Sequence, residues 1–238
     1  MPRNDGLSAI SINMKIKLLF LSLIFSFSTF AQNSSPSKLT VVSSYNQYLA
    51  SVKTNPNNEL IEIKKAIPNI KLDIRYATKN NFMKQVMYKQ ARAFARKPVV
   101  ESLKKIQREL NKKGYGIKIF DGYRPYDITV EFYKKASDKN FVANPANGSK
   151  HNRGCAVDLT LINLKTGKEL AMATPYDSFS AAAAANYEPV LAEVKKNRDL
   201  LISTMKKYEL NVLDNEWWHY DFSGWQQYDL MDIPFEKL

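Results

Sequence analysis

The sequence has very little cysteine and histidine. Its 238 residues include one cysteine, Cys155, and two histidines, His151 and His219. A single thiol cannot form an internal disulfide, so the fold must be held by its apolar core, and zinc-finger cysteine pairs and CxxC redox motifs are excluded. The remaining composition, 45% hydrophobic and 24% charged, is typical of a globular protein. It excludes disordered, collagen-like and coiled-coil chains.

A long hydrophobic run is also missing. Residues 18–27 are almost entirely apolar, but such a stretch is too short to cross a bilayer comfortably. Lys15 and Lys17 precede it and small residues up to Ala31 follow it, the pattern of a secretory signal peptide. We therefore expect residues 1–31 to be a cleaved signal peptide, with residues 1–13 as an upstream extension. The mature protein would be exported to the periplasm or cell envelope without stable membrane insertion. A membrane anchor or a buried helix is the alternative.

Negative charge is scarce relative to positive charge, and the formal net charge is +12. Removal of residues 1–31 would leave the protein strongly basic, and a basic protein attracts polyanions. The lysine pairs are spread along the sequence, whereas a nucleic-acid groove needs basic charge gathered on one surface. We therefore expect an anionic cell-wall polymer as the partner, and no nucleic acid. The pairs are Lys64-Lys65, Lys112-Lys113, Lys195-Lys196 and Lys206-Lys207.

The composition changes once after the apolar stretch. Residues 32–59 are rich in serine, asparagine, lysine and proline, which indicates a flexible lead-in. Beyond them we find no internal repeat and no second shift in composition. The sequence therefore predicts one domain over residues 60–238.

Hydrophobic periodicity places the main elements of this domain. Apolar residues recur at helical spacing over residues 99–110 and 191–205, and Pro125 can begin a further helix. Alternating patterns predict strands at residues 117–121, 155–162, 209–213 and 217–222, with the last two joined by a turn at residues 214–215. Separate helices and hairpin-like strands favour an α+β fold, in which a small antiparallel sheet packs with helices.

Each histidine lies in a polar cluster that also contains a carboxylate. A hydrolytic zinc site needs three protein ligands and one open position, which two imidazoles and one carboxylate can supply. On a strand, a spacing of three places Glu216 and His219 on opposite faces, so we predict a bend or bulge at Glu216. Taken singly, either histidine could instead be structural. The two clusters are Ser149-x-His151-x-x-Gly154-x-Ala156-x-Asp158 and Glu216-x-x-His219.

Together these motifs resemble the zinc signature of the D-alanyl-D-alanine dipeptidase family, the VanX-like zinc peptidases related to D,D-carboxypeptidases and Hedgehog-type domains. The resemblance covers roughly residues 60–235 and identifies the small sheet as the carrier of the zinc site. Three other segments also resemble the family, namely residues 73–82, 121–125 and 174–179.

The resemblance implies a role for each matching residue. His151, Asp158 and His219 would hold one Zn²⁺ per chain, and Glu216 would be the catalytic base. Zinc would make hydroxide available near neutral pH, and the base would move the proton of the water. The site for a D-amino-acid dipeptide would be lined by Ser149, Tyr76 and Asp177.

The same resemblance makes Arg124 the group that stabilises the transition state. Its planar, permanently charged guanidinium suits a developing oxyanion, and Pro125 would fix the backbone beside it. The alternative is a structural ion pair with Asp121 or Asp127.

Three functions remain open from the sequence. The family resemblance favours zinc-dependent hydrolysis of D-alanyl-D-alanine to two D-alanines, in turnover or recycling of cell-wall peptides. A D,D- or L,D-carboxypeptidase acting on longer muropeptides is the second. A non-catalytic, zinc-stabilised wall-binding module is the third, although the presence of Glu216 and Arg124 argues against it.

Overall fold

In this computed structural model of the protein, residues 39–238 are described. The predicted signal peptide lies outside them. No helix within residues 39–238 has the length and apolar character to cross a membrane. The helices are α1 (Tyr45–Thr54), α2 (Ile63–Ala66), α3 (Lys97–Asn111), α4 (Tyr126–Lys135) and α5 (Ala192–Lys207). The strands are β1 (Val41–Val42), β2 (Leu60–Glu62), β3 (Lys71–Leu72), β4 (Phe94–Arg96), β5 (Tyr115–Asp121), β6 (Ala156–Asn163), β7 (Leu210–Leu213), β8 (Glu216–Phe222) and β9 (Leu230–Met231).

A five-stranded sheet in the order β3-β5-β6-β8-β7 organises the fold. Strands β5, β6, β8 and β7 are antiparallel to their neighbours, and the short edge strand β3 runs parallel to β5. Two smaller pairs lie outside this sheet, β1 with β9 and β2 with β4. The α+β fold predicted from the sequence is confirmed.

Helix α3 and the centre of the sheet supply much of the core. Val99, Leu103, Ile106 and Leu110 form the helical stripe predicted from the sequence, and each is fully buried. Burial of such a side chain contributes about 1.5–3 kcal/mol. Strand β6 is buried on both faces over nearly its whole length. It therefore carries any polar side chain, such as Asp158, into the interior, where that side chain must find partners.

The flexible lead-in expected at residues 32–59 is wrong for residues 41–58, which form β1, α1 and a 3-10 turn at Pro56–Asn58. The polar residues that suggested looseness act as helix caps, because Ser44 accepts from an amide of α1 and Asn55 accepts from an amide of the 3-10 turn. Tyr48 anchors the segment, since its side chain is buried and its hydroxyl accepts a 2.8 Å bond from the amide of Leu60.

A buried arginine ties this segment to the loop before β6. Arg96 is 2% exposed, and its guanidinium donates to the backbone carbonyls of Asn58, Arg153 and Asp229. An unpaired charge at this depth would be very costly, so these carbonyls fix its position. The bonds thereby hold the chain in place directly after His151.

Candidate metal centre and its cavity

Three side chains converge where β6 and β8 lie side by side. His151 is in a 3-10 turn, Asp158 is on β6 and His219 is on β8, where it pairs directly with Asp158. One potential ligand atom from each residue lies within 4.8 Å of the others. Gly154 ends the 3-10 turn with a φ of +68°, and a Cβ there would lie 2.6 Å from the side chain of Leu60. Gly154 therefore turns the chain between His151 and Asp158, so that their side chains converge.

The distances among these atoms are short. Nε2 of His151 lies 3.1 Å from Nδ1 of His219. Oδ1 of Asp158 lies 3.4 Å from Nε2 of His151 and 3.1 Å from Nδ1 of His219. All three side chains are buried.

Hydrogen bonds on the far side of each group fix which atoms face the centre. Nδ1 of His151 donates to the carbonyl of Gly122 at 2.7 Å, and Nε2 of His219 donates to Oδ1 of Asp221 at 2.9 Å. Oδ2 of Asp158 accepts from the hydroxyl of Tyr176 at 3.0 Å. Each inward atom therefore presents a lone pair. Such outward bonds are the usual support of metal-ligating histidines.

This arrangement fits a bound cation. Oδ1 of Asp158 is buried and has no hydrogen-bond donor among residues 39–238. Two imidazole lone pairs facing each other would repel unless positive charge lies between them. One carboxylate and two neutral imidazoles form a donor set that suits a divalent transition metal.

The electrostatics of the centre also favour positive charge. Burial opposes the charged form of His219, but the neighbouring carboxylates of Asp158 and Asp221 outweigh it and raise the pKa of His219 to about 10. Burial likewise opposes ionisation of Asp158, yet the neighbouring His151 and His219 hold the pKa of that carboxyl well below its usual range. The cluster therefore strongly attracts either protons or a cation.

Glu216 reaches the centre because β8 bulges. Val212 on β7 pairs with Tyr220, but the next residue, Leu213, pairs with Glu216, so residues 217–219 form an irregularity in the ladder. The predicted bend is confirmed. Oε2 of Glu216 lies 3.8 Å from Nδ1 of His219. Burial raises the pKa of the Glu216 carboxyl, and the charge of Asp158 adds to this effect.

Arg124 is held by a buried ion pair and by aromatic rings. Its Nε and Nη2 donate to Oδ2 of Asp121 at 3.1 and 2.7 Å. The guanidinium lies 4.6 Å from the ring centre of Phe132 and 5.3 Å from that of Tyr76. The ion pair considered from the sequence is therefore present, with Asp121 as its partner, and Arg124 also lines the cavity described next.

A cavity of about 330 Å³ opens above the three convergent side chains. It brings together all eight residues singled out by the sequence, namely Tyr76, Arg124, Ser149, His151, Asp158, Asp177, Glu216 and His219. Ser149 accepts a 3.2 Å bond from the amide of His151 through its hydroxyl. Trp218 is 1% exposed and lines the cavity.

Asp177 has an unusual environment in this cavity. Its Oδ1 accepts from the hydroxyl of Tyr76 at 3.0 Å, while Oδ2 is shielded from solvent and lacks a partner in the described part of the chain. Its φ is +61°, a left-handed conformation that aspartate tolerates better than most residues. Burial, with the charge of Asp158, raises the pKa of Asp177 to about 7.

Sequence reasoning missed the aromatic wall of the cavity and the carboxylate behind His219. Phe82, Phe132, Phe141 and Phe179 come from separate segments, and the rings of Phe141 and Phe179 stack with centres 4.9 Å apart. No local pattern marks them. Asp221 could have been found, because a residue two positions after His219 on a strand shares its face.

Comparison with known proteins agrees with the geometry. A family model described as D-ala-D-ala dipeptidase, of peptidase family M15, matches residues 56–235. The chain is thus an enzyme of the zinc metallopeptidase class. More narrowly, it belongs to the D-Ala-D-Ala dipeptidase family, as its motifs predicted.

Individual D-alanyl-D-alanine dipeptidases show the same likeness. The chain is 28% identical over 177 residues to a D-alanyl-D-alanine dipeptidase of Escherichia coli K12, covering 74% of this chain and 91% of that protein. It is 28% identical over 174 residues to one of Enterococcus faecium, covering 65% and 86% respectively. The solved LdcB LD-carboxypeptidase, whose report concerns peptidoglycan recognition, aligns at 21% identity with a TM-score of 0.38, over 56% of this chain and 61% of its own.

Proposed function

We propose that this enzyme uses Zn²⁺ to hydrolyse D-alanyl-D-alanine to two D-alanines. The observation that carries the proposal is the set of three inward lone pairs on His151, Asp158 and His219. The carboxylate of Glu216 lies beside them, with its Oε2 at 3.8 Å from Nδ1 of His219. This combines a metal-binding donor set with a buried base in one cavity. Family membership supports the reaction class.

His151, Asp158 and His219 would hold the metal. A bound zinc ion supplies Lewis acidity, which makes hydroxide available near neutral pH and polarises the substrate carbonyl. Two imidazoles and one carboxylate suit zinc and leave a position open for chemistry. The bonds to Gly122, Asp221 and Tyr176 would keep these ligands oriented.

Glu216 would move the proton. Burial raises its pKa, which brings the carboxyl closer to the working pH of a general base. Glu216 can then accept a proton from the attacking water and deliver it to the departing amine nitrogen. A positioned base of this kind contributes roughly 10²–10⁴-fold to the rate.

Arg124 would stabilise the oxyanion that forms when water attacks the amide carbonyl. The N–H of Nε and one N–H of Nη2 donate to Asp121, so these bonds leave both N–H groups of Nη1 and the second of Nη2 for a substrate. The rings of Phe132 and Tyr76 restrict the guanidinium plane. A fixed donor needs little reorganisation during the reaction, and this is what makes such groups effective.

Asp177 favours a dipeptide over a longer peptide. Its Oδ2 has no partner within residues 39–238, which is costly unless a ligand supplies a donor. The free ammonium of a dipeptide carries both donors and positive charge, whereas the same nitrogen in a longer stem is a neutral amide. The hydroxyl of Tyr76 holds the carboxylate in place through Oδ1. We therefore prefer a dipeptidase to a D,D- or L,D-carboxypeptidase.

The decisive experiment compares three substrates on zinc-loaded protein. D-alanine release would be measured from D-Ala-D-Ala, from N-acetyl-D-Ala-D-Ala and from a pentapeptide stem ending in D-Ala-D-Ala. We expect release chiefly from the free dipeptide. Preference for the stem would establish the carboxypeptidase instead. A protein that binds zinc and cleaves none of them would be a binding module. Metal analysis of the purified enzyme, with cobalt and manganese as competitors, tests the identity of the metal.

We also propose that the mature enzyme acts in the periplasm or cell envelope on peptides released from the wall. The signal-peptide pattern of residues 14–31 supports this. Cell fractionation and N-terminal sequencing would test it. A mature chain beginning after Ala31 in the envelope fraction is expected, and an intact chain confined to the cytosol contradicts the proposal.

A basic hollow supports the expectation of an anionic wall polymer as partner. Lys105 and Arg108 lie on successive turns of α3, and Lys112 follows directly after its last residue. These three side chains line a hollow of about 670 Å³ with Lys207 of α5. Glu109, the acid in that lining, is already bonded to Lys207 at 2.6 Å. One lysine from each of two pairs that are distant in sequence, Lys112 and Lys207, therefore lines the same hollow.

Binding to an isolated phosphate-rich wall polymer would test this surface. Replacement of Lys105, Arg108 and Lys112 by serine should weaken binding at least about tenfold at low salt, because surface charge dominates such attraction. A charge-matched control replaces Lys64, Lys195 and Lys196 by serine and should bind like the unmodified protein. Equal losses in both variants would mean that net charge alone is responsible.

A further inference from the structure

The outward nitrogen of His219 begins a short chain of contacts that runs through the buried carboxylate of Asp221 to the half-buried ammonium of Lys150. Nε2 of His219 donates to Oδ1 of Asp221 at 2.9 Å. The other oxygen of that carboxylate, Oδ2, accepts from Nζ of Lys150 at 2.5 Å. Asp221 is 8% exposed. Asp221 does not line the cavity, whereas Lys150 does, and the proposed function assigns a role to neither of them.

Strand geometry places Asp221 behind His219. The two residues are two positions apart on β8, so their side chains share a face. Asp221 is also held from both sides, because it pairs with Ala156 on β6 and with Asn211 on β7. A carboxylate in the middle of a three-strand ladder has little freedom to move away from the imidazole.

Lys150 comes from the other ligand-bearing segment. It directly precedes His151, in the loop that leads into the 3-10 turn His151–Arg153. The ion pair between Lys150 and Asp221 therefore joins the segment that carries His151 to the strand that carries His219. Its ammonium also lies 5.3 Å from the ring centre of Trp225, which limits its alternatives.

We propose that Asp221 and Lys150 are positioning residues for the metal centre. Asp221 keeps the proton of His219 on Nε2, so that the lone pair of Nδ1 faces the metal. Lys150 occupies the second oxygen of Asp221, which turns the first oxygen towards the imidazole and fixes the spacing between the two ligand segments. The inference rests on the proposed function only in requiring that a divalent metal binds at His151, Asp158 and His219.

Zinc affinity is the first readout. In competition with a chromophoric chelator, Asp221→Ala should lower the affinity of the full-length protein roughly 10–100-fold, the usual effect of removing a hydrogen-bond partner behind a metal ligand. Asp221→Asn keeps an acceptor oxygen of the same shape and should lose less. Lys150→Met should lose least, since it leaves the carboxylate in place. Asp229→Ala removes an exposed carboxylate of the same chain region and should bind zinc normally.

The ring proton of His219 is the second readout, and it does not depend on activity. Because the chain has two histidines, long-range ¹H–¹⁵N spectra of the zinc-loaded protein resolve both rings. In the unmodified protein His219 should carry its proton on Nε2, with slow exchange. Asp221→Ala should accelerate that exchange, and Lys150→Met should change the chemical shift of the same proton.

The outcomes separate this proposal from the proposed function. Wild-type zinc affinity and an unchanged His219 proton in both Asp221 variants would overturn the positioning role, even in an active enzyme. Zinc binding that weakens as expected in a protein inert on D-Ala-D-Ala would retain the positioning role and remove the dipeptidase. If Asp221→Ala fails to fold, Asp221→Asn and Lys150→Met still decide the question.

Discussion

Two sides of the cavity shift the pKa of a buried carboxylate in opposite directions. We call the side formed by His151, Asp158 and His219 the floor, and the side formed by Tyr76 and Asp177 the wall. On the floor, His151 and His219 overcome the effect of burial and lower the pKa of Asp158. On the wall, burial and the charge of Asp158 raise the pKa of Asp177 to about 7. An aspartate is therefore kept charged on the floor, whereas the aspartate on the wall is partly protonated near pH 7.

The hydrogen bonds differ in the same way. Each floor residue has a partner on its outward side, so its inward atom is fixed by the fold itself. On the wall, Asp177 combines a φ of +61° with a buried oxygen that lacks a partner in residues 39–238. Strain and unsatisfied polar atoms are costly, and they persist at functional sites. The floor thus presents a fixed set of donors that fits a cation, whereas the wall keeps an acceptor oxygen that could receive a donor from a ligand.

Removal of a floor residue should have the largest effect. Asp158→Asn takes away the negative charge between the two imidazoles, so we expect loss of stoichiometric metal and of D-Ala-D-Ala hydrolysis together. Metal analysis after gel filtration and a D-alanine assay measure both. A variant that retained full metal and activity would show that Asp158 is not a ligand.

Glu216→Gln should separate chemistry from metal binding. The amide keeps the shape of the side chain but cannot accept a proton, so kcat should fall roughly 10²–10⁴-fold. Bound zinc and thermal stability should remain near those of the unmodified enzyme. If the variant retained kcat, the base would have to be another group.

Asp177→Asn should act on the wall and leave the floor intact. Loss of a charged hydrogen bond costs about 1.5–3 kcal/mol, so we expect KM for D-Ala-D-Ala to rise roughly 10–100-fold, with a smaller change in kcat. Zinc affinity should not change. Activity on the N-acetylated dipeptide, which has no ammonium, should be equally low in both proteins. An unchanged KM for the free dipeptide would contradict an ammonium site at Asp177.

The smallest effect concerns stability and pH. The pKa of Asp177 is about 7 in the folded protein, against about 3.9 in an unfolded chain. The folded state therefore holds an extra proton between these values, and the stabilisation it gives is lost as the pH rises through 7. In metal-free protein, Asp177→Asn should raise Tm by a few degrees at pH 8 relative to the unmodified chain, with the difference shrinking towards pH 4. The opposite pH trend would contradict burial as the cause.

The floor was predictable because its information is local. Periodicity predicts the strand through Asp158 and the hairpin that carries His219, and the parity of Glu216 predicts the bulge that brings it to the centre. The motif around His151 was assigned its role in the metal site through the family resemblance. Helix α3 and strand β5 were likewise visible in the pattern of buried residues.

The wall and the N-terminal segment were less predictable because their partners are distant in sequence. The roles of Tyr76 and Asp177 came from family resemblance, and their hydrogen bond spans residues that no periodicity connects. The prediction of a flexible segment from composition was wrong for residues 41–58, because Ser44 and Asn55 cap helical turns there. A single tyrosine, Tyr48, anchors the segment to the domain.

The pairing of β1 with β9 has a mechanical consequence. These strands are parallel, Val41 opposite Leu230 and Val42 opposite Met231, and they lie near the two ends of residues 39–238. Once the last few residues after β9 have peeled away, tension on the chain ends would pull the strands past each other lengthwise. Their hydrogen bonds would then bear the load together in shear and would not break one after another. One of these bonds runs from the amide of Asp232 to the carbonyl of Val42.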